Sequence, residues 1–437
     1  MITIGIPQIY SNKEKSYLKA PVKISNDAVQ AYMSLPKSLR KVHWRLSENY
    51  PPVEWREKDF GLWFSVEKEY GKYLCAETAD AFVAAMLWYA LATGSDIICE
   101  APISENLLFS VNNFLIPALC TEKKGFRRIS VKAMESRECF KGGGVGTGMS
   151  CGVDSLYTLN RYKDATSNER RLTHLCYFNM GAIFHPDRSS KKKYSLKDFY
   201  ATTDKMSLEK FAQAKNVADK TGLPIIYIQS NMDSDFYRGA YGYTGVYRNC
   251  ACVLAMQKLF DSYYCSSGGW PDYWDLSISE GSQHYEALIC QCLSTESCRF
   301  ILSDYADRIE KTAAIADMDI AQKYLDVCFR FNSCGHCSKC YRTLLTLDLL
   351  GKLDNFSKVF DINEYRNDKS KALGWLLSEQ LADGKDDNAV FAREIYRMAK
   401  QKKMKIPISA YFYAAKILFA QKKKELRRVI TMQKNIF

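Results

Sequence analysis

The sequence predicts an α/β fold in which a parallel sheet occupies the middle of the chain. Residues 141–351 alternate short β-prone runs with helical patterns, as strands joined by crossover helices require. At 437 residues the chain is also too long for one typical core, so two or three domains are expected. We expect an N-terminal α+β extension over 1–140, the parallel-sheet domain over 141–351, and a helical, lysine-rich extension over 352–437.

The elements before residue 140 are assigned from local patterns. Residues 1–50 mix Pro, Lys and Ser with short apolar pieces, and we expect them to wrap over another surface. Gly61–Val66 and Gly71–Cys75 predict a β-hairpin. A strongly apolar helix is predicted over Thr78–Ala92, with Thr78 as its N-cap and Gly94 just past its end. The further predicted elements are a strand at 96–99, a helix at 105–119 and a strand at 128–131.

The middle of the chain continues the alternation. Strands are predicted at 172–178, 224–228 and 263–265, and helices at 208–220 and from Tyr247 to Phe260. Ligands bind at the carboxyl ends of parallel strands, so residues 150–155, 179–181 and 266–269 are expected to share one cleft. The end of the chain predicts helices at 372–381, 388–399 and 409–420, as a bundle capping the core or, alternatively, as a partner-docking surface.

Composition narrows the functional classes. No apolar run reaches the ~18 residues of a membrane span, and the first residues lack a signal-peptide pattern. We therefore expect a cytoplasmic protein without membrane association, whose scattered cysteines (Cys99, Cys176, Cys252 and Cys290 among them) are reduced core thiols. The net charge of +12 comes from local lysine and arginine runs, such as 191–193 and 422–424. Solvated faces explain them most simply; an acidic partner protein is the alternative, and nucleic acid is less favoured because no binding motif accompanies the charge.

The stretch 145–159 carries the first chemical signal. Small β-prone residues lead into a tight turn at Ser150–Asp154, and an apolar helical pattern starts at Ser155. A strand–turn–helix of this kind points backbone N–H groups and the positive end of a helix at one place, which favours phosphate. Ser150 and Ser155 add hydroxyl donors, and Gly152 permits close approach. A Walker A motif is absent.

The second chemical signal is a cysteine cluster with the spacing Cys328-x5-Cys334-x2-Cys337-x2-Cys340. Four thiolates at such spacings can converge on one tetrahedral Zn²⁺ at ~2.3 Å each, and they close its coordination shell. We therefore predict a structural zinc, with an iron–sulfur cluster as the alternative. His336 lies inside the cluster and could replace one cysteine.

Residues 150–155, S-C-G-V-D-S, resemble S-G-G-x-D-S, the pyrophosphate loop of the PP-loop ATP pyrophosphatases, with Cys151 in place of the first glycine. The order of parts from Gly148 to Leu350 resembles the 7-cyano-7-deazaguanine synthases, which are PP-loop enzymes of the queuosine pathway. The matching segments are 177–181 (F-D-Y-G in the family), 214–224 (a helix ending in L-G-[VI]-P), 247–249 (G-R-N), 310–311 (T-K) and the four cysteines (C-x8-C-x2-C-x2-C). The segments 1–140 and 352–437 have no counterpart in the housekeeping enzyme.

The resemblance implies a site for ATP, Mg²⁺ and Zn²⁺. The residues it assigns to ATP are Ser150, Cys151, Gly152, Val153, Asp154, Ser155, Phe178, Asn179 and Gly181. Asp154 is the implied Mg²⁺-positioning residue, and Arg248 and Lys311 are the implied cations at the α-phosphate. Zinc is assigned to Cys328, Cys334, Cys337 and Cys340.

The implied reaction is that of an ATP-dependent C–N ligase. A carboxylate, 7-carboxy-7-deazaguanine or a related base, is adenylated with release of pyrophosphate, and an amine then displaces AMP. Ammonia would give an amide and then a nitrile. Proteins similar to this synthase, with such extensions, also occur in anti-phage operons of the Qat and type IV CBASS kinds, which implies transfer to a protein amine. An acidic partner docking on basic runs and on aromatics such as Trp44, Trp55 and Trp63 would fit that reaction.

Three other functions compete with this one. An oxidoreductase could use the glycines of 142–148 as a dinucleotide fingerprint, but that fingerprint must follow a strand and open a helix. A non-catalytic nucleotide sensor or scaffold would result if Cys151 disables the loop. A tRNA-modifying sulfur transferase on the same fold would need a persulfide on a cysteine, for which Cys151 is the candidate in the cleft.

Overall fold

The computed structural model describes residues 1–35, 60–122, 125–183, 193–237, 239–269, 271–277, 281–328, 333–382 and 387–433. The chain forms two compact units, which we call the first unit (1–150 and 158–305) and the second unit (151–157 and 306–437). These units cross the domain boundaries expected at residues 140 and 351. Among the sequence predictions, those on Trp44, Trp55, Lys123, Lys124, Lys191 and Lys192 lie outside the described residues.

The strands all belong to the first unit. They are β1 (Ile2–Ile4), β2 (Gln8–Ser11), β3 (Lys15–Ile24), β4 (Phe60–Glu67), β5 (Ile97–Cys99), β6 (Ile103–Ser104), β7 (Val131–Lys132), β8 (Glu135–Ser136), β9 (Gly144–Gly148), β10 (His174–Asn179), β11 (Ile225–Ser230), β12 (Phe260–Cys265) and β13 (Arg299–Leu302). Within the described residues, eleven of them form one sheet in the order β13-β12-β9-β10-β11-β4-β3-β1-β5-β7, with β2 paired to β3. β6 and β8 pair separately.

The helices are distributed over both units. They are α1 (Asn26–Ser34), α2 (Asp80–Thr93), α3 (Glu105–Ser110), α4 (Ile116–Glu122), α5 (Val153–Tyr162), α6 (Leu196–Thr221), α7 (Tyr241–Leu254), α8 (Glu286–Cys292), α9 (Arg308–Ile315), α10 (Asp319–Tyr324), α11 (Ser338–Leu350), α12 (Ile362–Leu381), α13 (Asp387–Gln401) and α14 (Ile408–Gln433). A π-helical turn, Val111–Leu115, joins α3 to α4, so the helix predicted from residue 105 is present.

The predicted parallel sheet is confirmed for β12, β9, β10 and β11, whose neighbouring pairs all run parallel. β13, which the sequence analysis did not predict, also pairs parallel with β12. Gly148 pairs with Cys176 on β10. Thr147 pairs with Leu175 on β10 and with Tyr264 on β12. Because the strands are in register and parallel, their carboxyl ends lie at one edge of the sheet. That edge is where the sequence places its candidate ligand loops.

The described part of the N-terminal segment, residues 1–35, 60–122 and 125–140, does not form a separate domain or a wrapping arm, contrary to the sequence prediction. β4 pairs antiparallel with β11, and β3, β1, β5 and β7 continue the same sheet beyond it. β3 alternates buried residues, such as Leu18 and Val22, with exposed Lys19. This period-2 pattern is that of a strand with one covered face, and it is visible in the sequence.

The hairpin predicted for Gly71–Cys75 is also wrong. Lys68–Tyr73 is a 3₁₀ helix, and both edges of β4 are already paired, with β3 on one side and β11 on the other. No edge of β4 is therefore left for residues 71–75 to join.

Helix α2 forms the centre of the first unit's core, since every one of its residues is buried and it packs against α7. Its C-terminus is as predicted, with Gly94 in the left-handed conformation that ends helices without strain. Its N-cap is Ala79 and not Thr78. The Thr78 hydroxyl instead donates to the buried carboxylate of Asp80, at 2.7 Å.

The second unit is a helical assembly, as the sequence predicts for the end of the chain. α12 packs against α13 and α14, and α11 contacts α9, α12 and α13. Gly374 lets α12 and α14 approach closely, because a Cβ there would lie 2.4 Å from Cβ of Tyr413. The prediction that this bundle caps the parallel sheet concerns the relation of the two units and stays a prediction.

Candidate anion site and metal centre

The predicted strand–turn–helix is present: β9 ends at Gly148 and α5 begins at Val153, two residues earlier than expected. Ser150 is exposed, Gly152 is half-buried and Val153 is buried. The Ser155 hydroxyl donates to the carbonyl oxygen of Gly152 at 3.0 Å. Ser155 therefore stabilises the turn itself.

Cys151 has φ of 59°, in the left-handed region. An L-residue in that region costs roughly 1–2 kcal/mol, whereas glycine adopts it freely. The PP-loop motif that this stretch resembles carries glycine at this position. The Cys151 side chain is 1% exposed, so it packs inward from the turn.

Asp154 lies in the second unit in contact with two cationic side chains of α9. Arg308 Nη1 donates to both of its carboxylate oxygens at 2.6 Å, and Lys311 Nζ is 3.6 Å from Oδ1. Burial alone would raise the pKa of Asp154, but the charges of Arg308 and then Lys311 outweigh it and hold the pKa at about 2. Asp154 is therefore ionised throughout the physiological range.

Helix α9 fixes these cations. Asp307 and Glu310 form a capping box at its start, which sets the first turn. Residues three apart lie on the same helix face, so Arg308 and Lys311 point to the same place. The sequence prediction named Lys311 and missed Arg308, although this i, i+3 spacing is visible in the sequence.

Two further cations lie near, both on α11. The charge of Arg342, which is 6% exposed, also lowers the pKa of Asp154. Lys339 is half-buried, and burial, followed by the charges of Arg342 and Arg308, lowers its pKa to about 8. Four cationic side chains thus lie near the Asp154 carboxylate, and a group of positive charges of this kind favours an anion.

The nearby acid Glu394, on α13, does not offset these positive charges at neutral pH. Burial, followed by the charge of Asp307, raises the pKa of Glu394 to about 8. Its side chain is therefore mostly protonated at pH 7. We call Asp154, Arg308, Lys311, Lys339 and Arg342 the cation cluster.

The first unit contains Phe178, Asn179 and Gly181, which the resemblance assigns to ATP. Asn179 Nδ2 donates to Asp204 Oδ1 at 2.8 Å, and the half-buried ring of Phe178 lies 6.3 Å from that of Tyr263. Gly181 has φ of 95°, and a Cβ there would lie 2.4 Å from Asp233 Cγ. Both its backbone conformation and its surroundings therefore require glycine.

Arg248 does not fit its predicted role. Its side chain is fully buried, and Nη1 donates to the Met180 carbonyl at 2.7 Å and to Asp233 Oδ1 at 2.9 Å. Nη2 donates to the Gly239 carbonyl at 2.5 Å. The guanidinium thus hydrogen-bonds to protein atoms, and these bonds join the loop after β10 to the loop after β11. Arg248 is a positioning residue here, and it is not a cation open to a phosphate.

A cavity of about 120 Å³, lined by both apolar surface and polar side chains, adjoins these loops. That volume holds about four waters at ~30 Å³ each. The described residues that line it include Trp63, Asn179, Gly181, Asp204, Asn231 and Asp233. Trp63 comes from β4, so the N-terminal segment contributes to a pocket at the carboxyl edge of the sheet.

Two of the three segments that were expected to share one cleft, and Ser150 of the third, lie in the first unit. Ser150, residues 179–181 and residues 266–269 follow three neighbouring parallel strands and therefore lie at the same edge. The Thr147 and Ser266 hydroxyl oxygens are 3.4 Å apart. Residues 151–155 belong to the second unit, and their place in the cleft stays a prediction.

The glycines of 142–148 do not form a dinucleotide fingerprint, because Gly144–Gly148 is strand β9 itself. A Cβ at Gly146 would lie 2.6 Å from a ring carbon of Phe260 on β12. These glycines permit close packing along the sheet, which removes the basis of the oxidoreductase alternative.

The four predicted metal ligands converge in the second unit. The Sγ atoms of Cys328, Cys334, Cys337 and Cys340 lie within 4.8 Å of one another, and three of the Sγ–Sγ distances are 3.5 to 4.0 Å. Four sulfurs at ~2.3 Å from a tetrahedral zinc are separated by about 3.8 Å. The group can therefore hold a metal ion, consistent with zinc.

The surroundings of this cluster fit a closed site. Hydrogen bonding with Cys337 raises the pKa of the Cys328 thiol to about 12, so the thiolates need a cation to offset their charge. Gly335, with φ of 72°, permits the tight turn between ligands. His336 is exposed and its Nε2 lies 3.2 Å from Glu364, so the four cysteines form the group without it.

Comparison of the chain with protein-family models, curated proteins and solved structures gives no match. The family resemblance therefore depends on the motifs named above. Among the described helices, none combines the length and apolar character needed to cross a bilayer.

Proposed function

We propose that this chain is an ATP-dependent ligase of the PP-loop kind, which adenylates a carboxylate and transfers the acyl group to an amine. The observation that carries the proposal is the cation cluster around Asp154. Arg308, Lys311 and Arg342 are each less than a tenth exposed, and Arg308 and Lys311 both lie beside the ionised carboxylate of Asp154. Mostly buried positive charge of this kind favours a polyanion such as the triphosphate of ATP.

In this proposal Asp154 positions Arg308 and Lys311, since Arg308 already donates to both of its oxygens. Mg²⁺ would then be held mainly by the phosphate oxygens, as is usual for this ion. Ser150 supplies a hydroxyl donor to the pyrophosphate, and the segment 178–181 receives adenine. Zinc at the four cysteines is structural, because a closed sulfur shell leaves no position for substrate.

The chemistry has two steps. A carboxylate oxygen attacks the α-phosphorus, the bond to the bridging oxygen breaks, and pyrophosphate leaves. An amine nitrogen then attacks the acyl carbon, AMP leaves, and the amine loses a proton. Arg308 and Lys311 would neutralise charge that develops on the phosphates. We propose 7-carboxy-7-deazaguanine or a related base as the carboxylate, ammonia or a partner-protein amine as the acceptor, and the cytosol as the location.

Mass spectrometry of the products formed from ATP, 7-carboxy-7-deazaguanine and ammonia tests this proposal. We expect AMP, pyrophosphate and an acylated amine from the wild-type protein. Lys311→Gln should lower AMP formation roughly 100-fold or more, and Ser150→Ala roughly 10- to 100-fold, because each removes a donor to the phosphates.

Lys323→Gln is the matched control, since Lys323 is an exposed lysine of the same unit, paired with Asp319. It should react like the wild type. Unchanged AMP formation in Lys311→Gln and Ser150→Ala would assign the reaction to another site. ATP binding by the wild type with no AMP under any carboxylate would favour the sensor alternative.

A further inference from the structure

Three cysteines of the first unit meet at a place that the proposed ligase reaction does not use. The Sγ atoms of Cys250, Cys265 and Cys290 lie within 4.8 Å of one another. Cys250 is on α7, Cys265 is the last residue of β12, and Cys290 is on α8. Three separate elements therefore bring the sulfurs together, and the spacing of these cysteines in the sequence does not predict the group.

The geometry suits a three-coordinate ion. Three sulfurs at ~2.3 Å from a metal in a trigonal plane are separated by about 4 Å, which lies within the observed limit. Thiolates are the ligands that soft ions such as Cu(I) prefer. Cys250 and Cys290 are buried, and Cys265, at the carboxyl end of β12, is half-buried.

The surroundings hold the three ligands in place. Glu286, at the start of α8, accepts a hydrogen bond from the Ser267 hydroxyl at 2.5 Å and one from the Gly269 N–H at 3.4 Å. These bonds attach the loop that follows Cys265 to the helix that carries Cys290. Metal sites need such outer contacts to keep their ligands oriented.

We propose that Cys250, Cys265 and Cys290 form a three-thiolate site for a soft metal ion, separate from the zinc group of the second unit. Metal–sulfur bonds form as the S–H bonds break, and up to three protons pass to solvent for each ion bound. Burial raises the pKa of the Cys250 thiol, so ion and proton compete there. The site does not depend on the proposed ligase function.

Cadmium titration of the full-length, reduced, metal-stripped protein tests the site, because Cd²⁺ binds thiolates and gives a sulfur-to-metal absorption band. We expect two equivalents to bind to the wild type with about seven sulfurs in total by X-ray absorption, four at one site as structural zinc sites have and three at the other. Cys265→Ala should lose one equivalent and Cys337→Ala the other.

Cys298→Ala is the matched control, since Cys298 is a fully buried thiol whose charge influences Cys250 but which lies outside the group of three. It should retain both equivalents. One equivalent in the wild type, or two in a folded Cys265→Ala protein, would overturn the proposal. The number of Cd²⁺ equivalents that the wild-type protein binds tests the proposal even if a variant fails to fold.

Discussion

Cys151 occupies a backbone conformation that is ordinarily left to glycine, with φ of 59° and a buried side chain. Cys151→Gly should relieve roughly 1–2 kcal/mol of backbone strain and lose a similar amount of side-chain burial. We therefore expect its free energy of unfolding, measured in urea, to stay within about 1 kcal/mol of the wild type. Cys151→Val should lose about 2 kcal/mol or more, because a β-branched residue tolerates this conformation poorly.

Cys176→Gly provides the comparison for that series. Cys176 is equally buried but lies within β10, where glycine relieves no strain and weakens the strand. It should be clearly less stable than Cys151→Gly. Equal losses at the two positions would mean that the left-handed turn at Cys151 stores no strain.

Individual site residues were predictable from the sequence to different degrees. The four cysteines have a spacing that only a metal explains well, and they converge as expected. Arg248 was misjudged because a sequence does not show burial: the same arginine that could bind a phosphate is enclosed by Met180, Asp233 and Gly239. The three-cysteine group was read as scattered core thiols, because its members are 15 and 25 residues apart.

At the scale of elements, the contact between α9 and α13 makes stability depend on pH through Glu394. The pKa of this carboxyl is about 8 when folded, raised first by burial, against about 4.3 unfolded. Between these values the folded state binds more protons than the unfolded state, so stability falls as pH rises. Glu394→Gln should remove that decline, which we expect to be roughly 3–4 kcal/mol between pH 5 and pH 8.

Hydrogen exchange of the α13 amides at pH 5 and pH 8, corrected for intrinsic exchange, measures this effect in the second unit. Glu209→Gln, an exposed position on α6, should keep the wild-type decline. A decline of the same size in Glu394→Gln would assign it to another group.

Elements were predicted well where one local pattern decides them. The turn between β9 and α5, the apolar helix α2 with Gly94 at its end, and the parallel strands all follow from periodicity and turn residues. The hairpin predicted at 71–75 is wrong because strand pairing requires a free sheet edge. The two edges of β4 pair with β3 and β11. Such long-range pairing has no local signal.

At the scale of the whole molecule, the continuous sheet predicts the behaviour of truncated chains. Deleting residues 1–140 would remove β4, which covers the edge of β11, and α2, which packs against α7. We expect the fragment 141–437 to be insoluble or to lack a cooperative unfolding transition, because it would expose a strand edge and a large apolar surface.

Differential scanning calorimetry of the fragment beside the full chain tests this expectation. A chain beginning at residue 12 is the comparison: it loses β2 and also β1, which joins β3 to β5, but keeps β4 and α2. It should be less stable than the full chain, with a lower Tm, but more stable than the 141–437 fragment. A soluble 141–437 fragment with the full chain's transition would show that the N-terminal strands are dispensable for the fold.

The ribosome synthesises α2 long before α7, the helix against which α2 packs. Helix α2 is apolar on every side, yet its partner ends at Leu254, long after α2 itself has been translated. At ~5–20 residues per second the ribosome needs roughly 8–30 s to cover that interval. During that time the neighbours of α2 that have been synthesised include α1, β1 and β5, and the surface that packs against α7 stays uncovered. Transiently exposed apolar surface of this kind favours aggregation of the nascent chain.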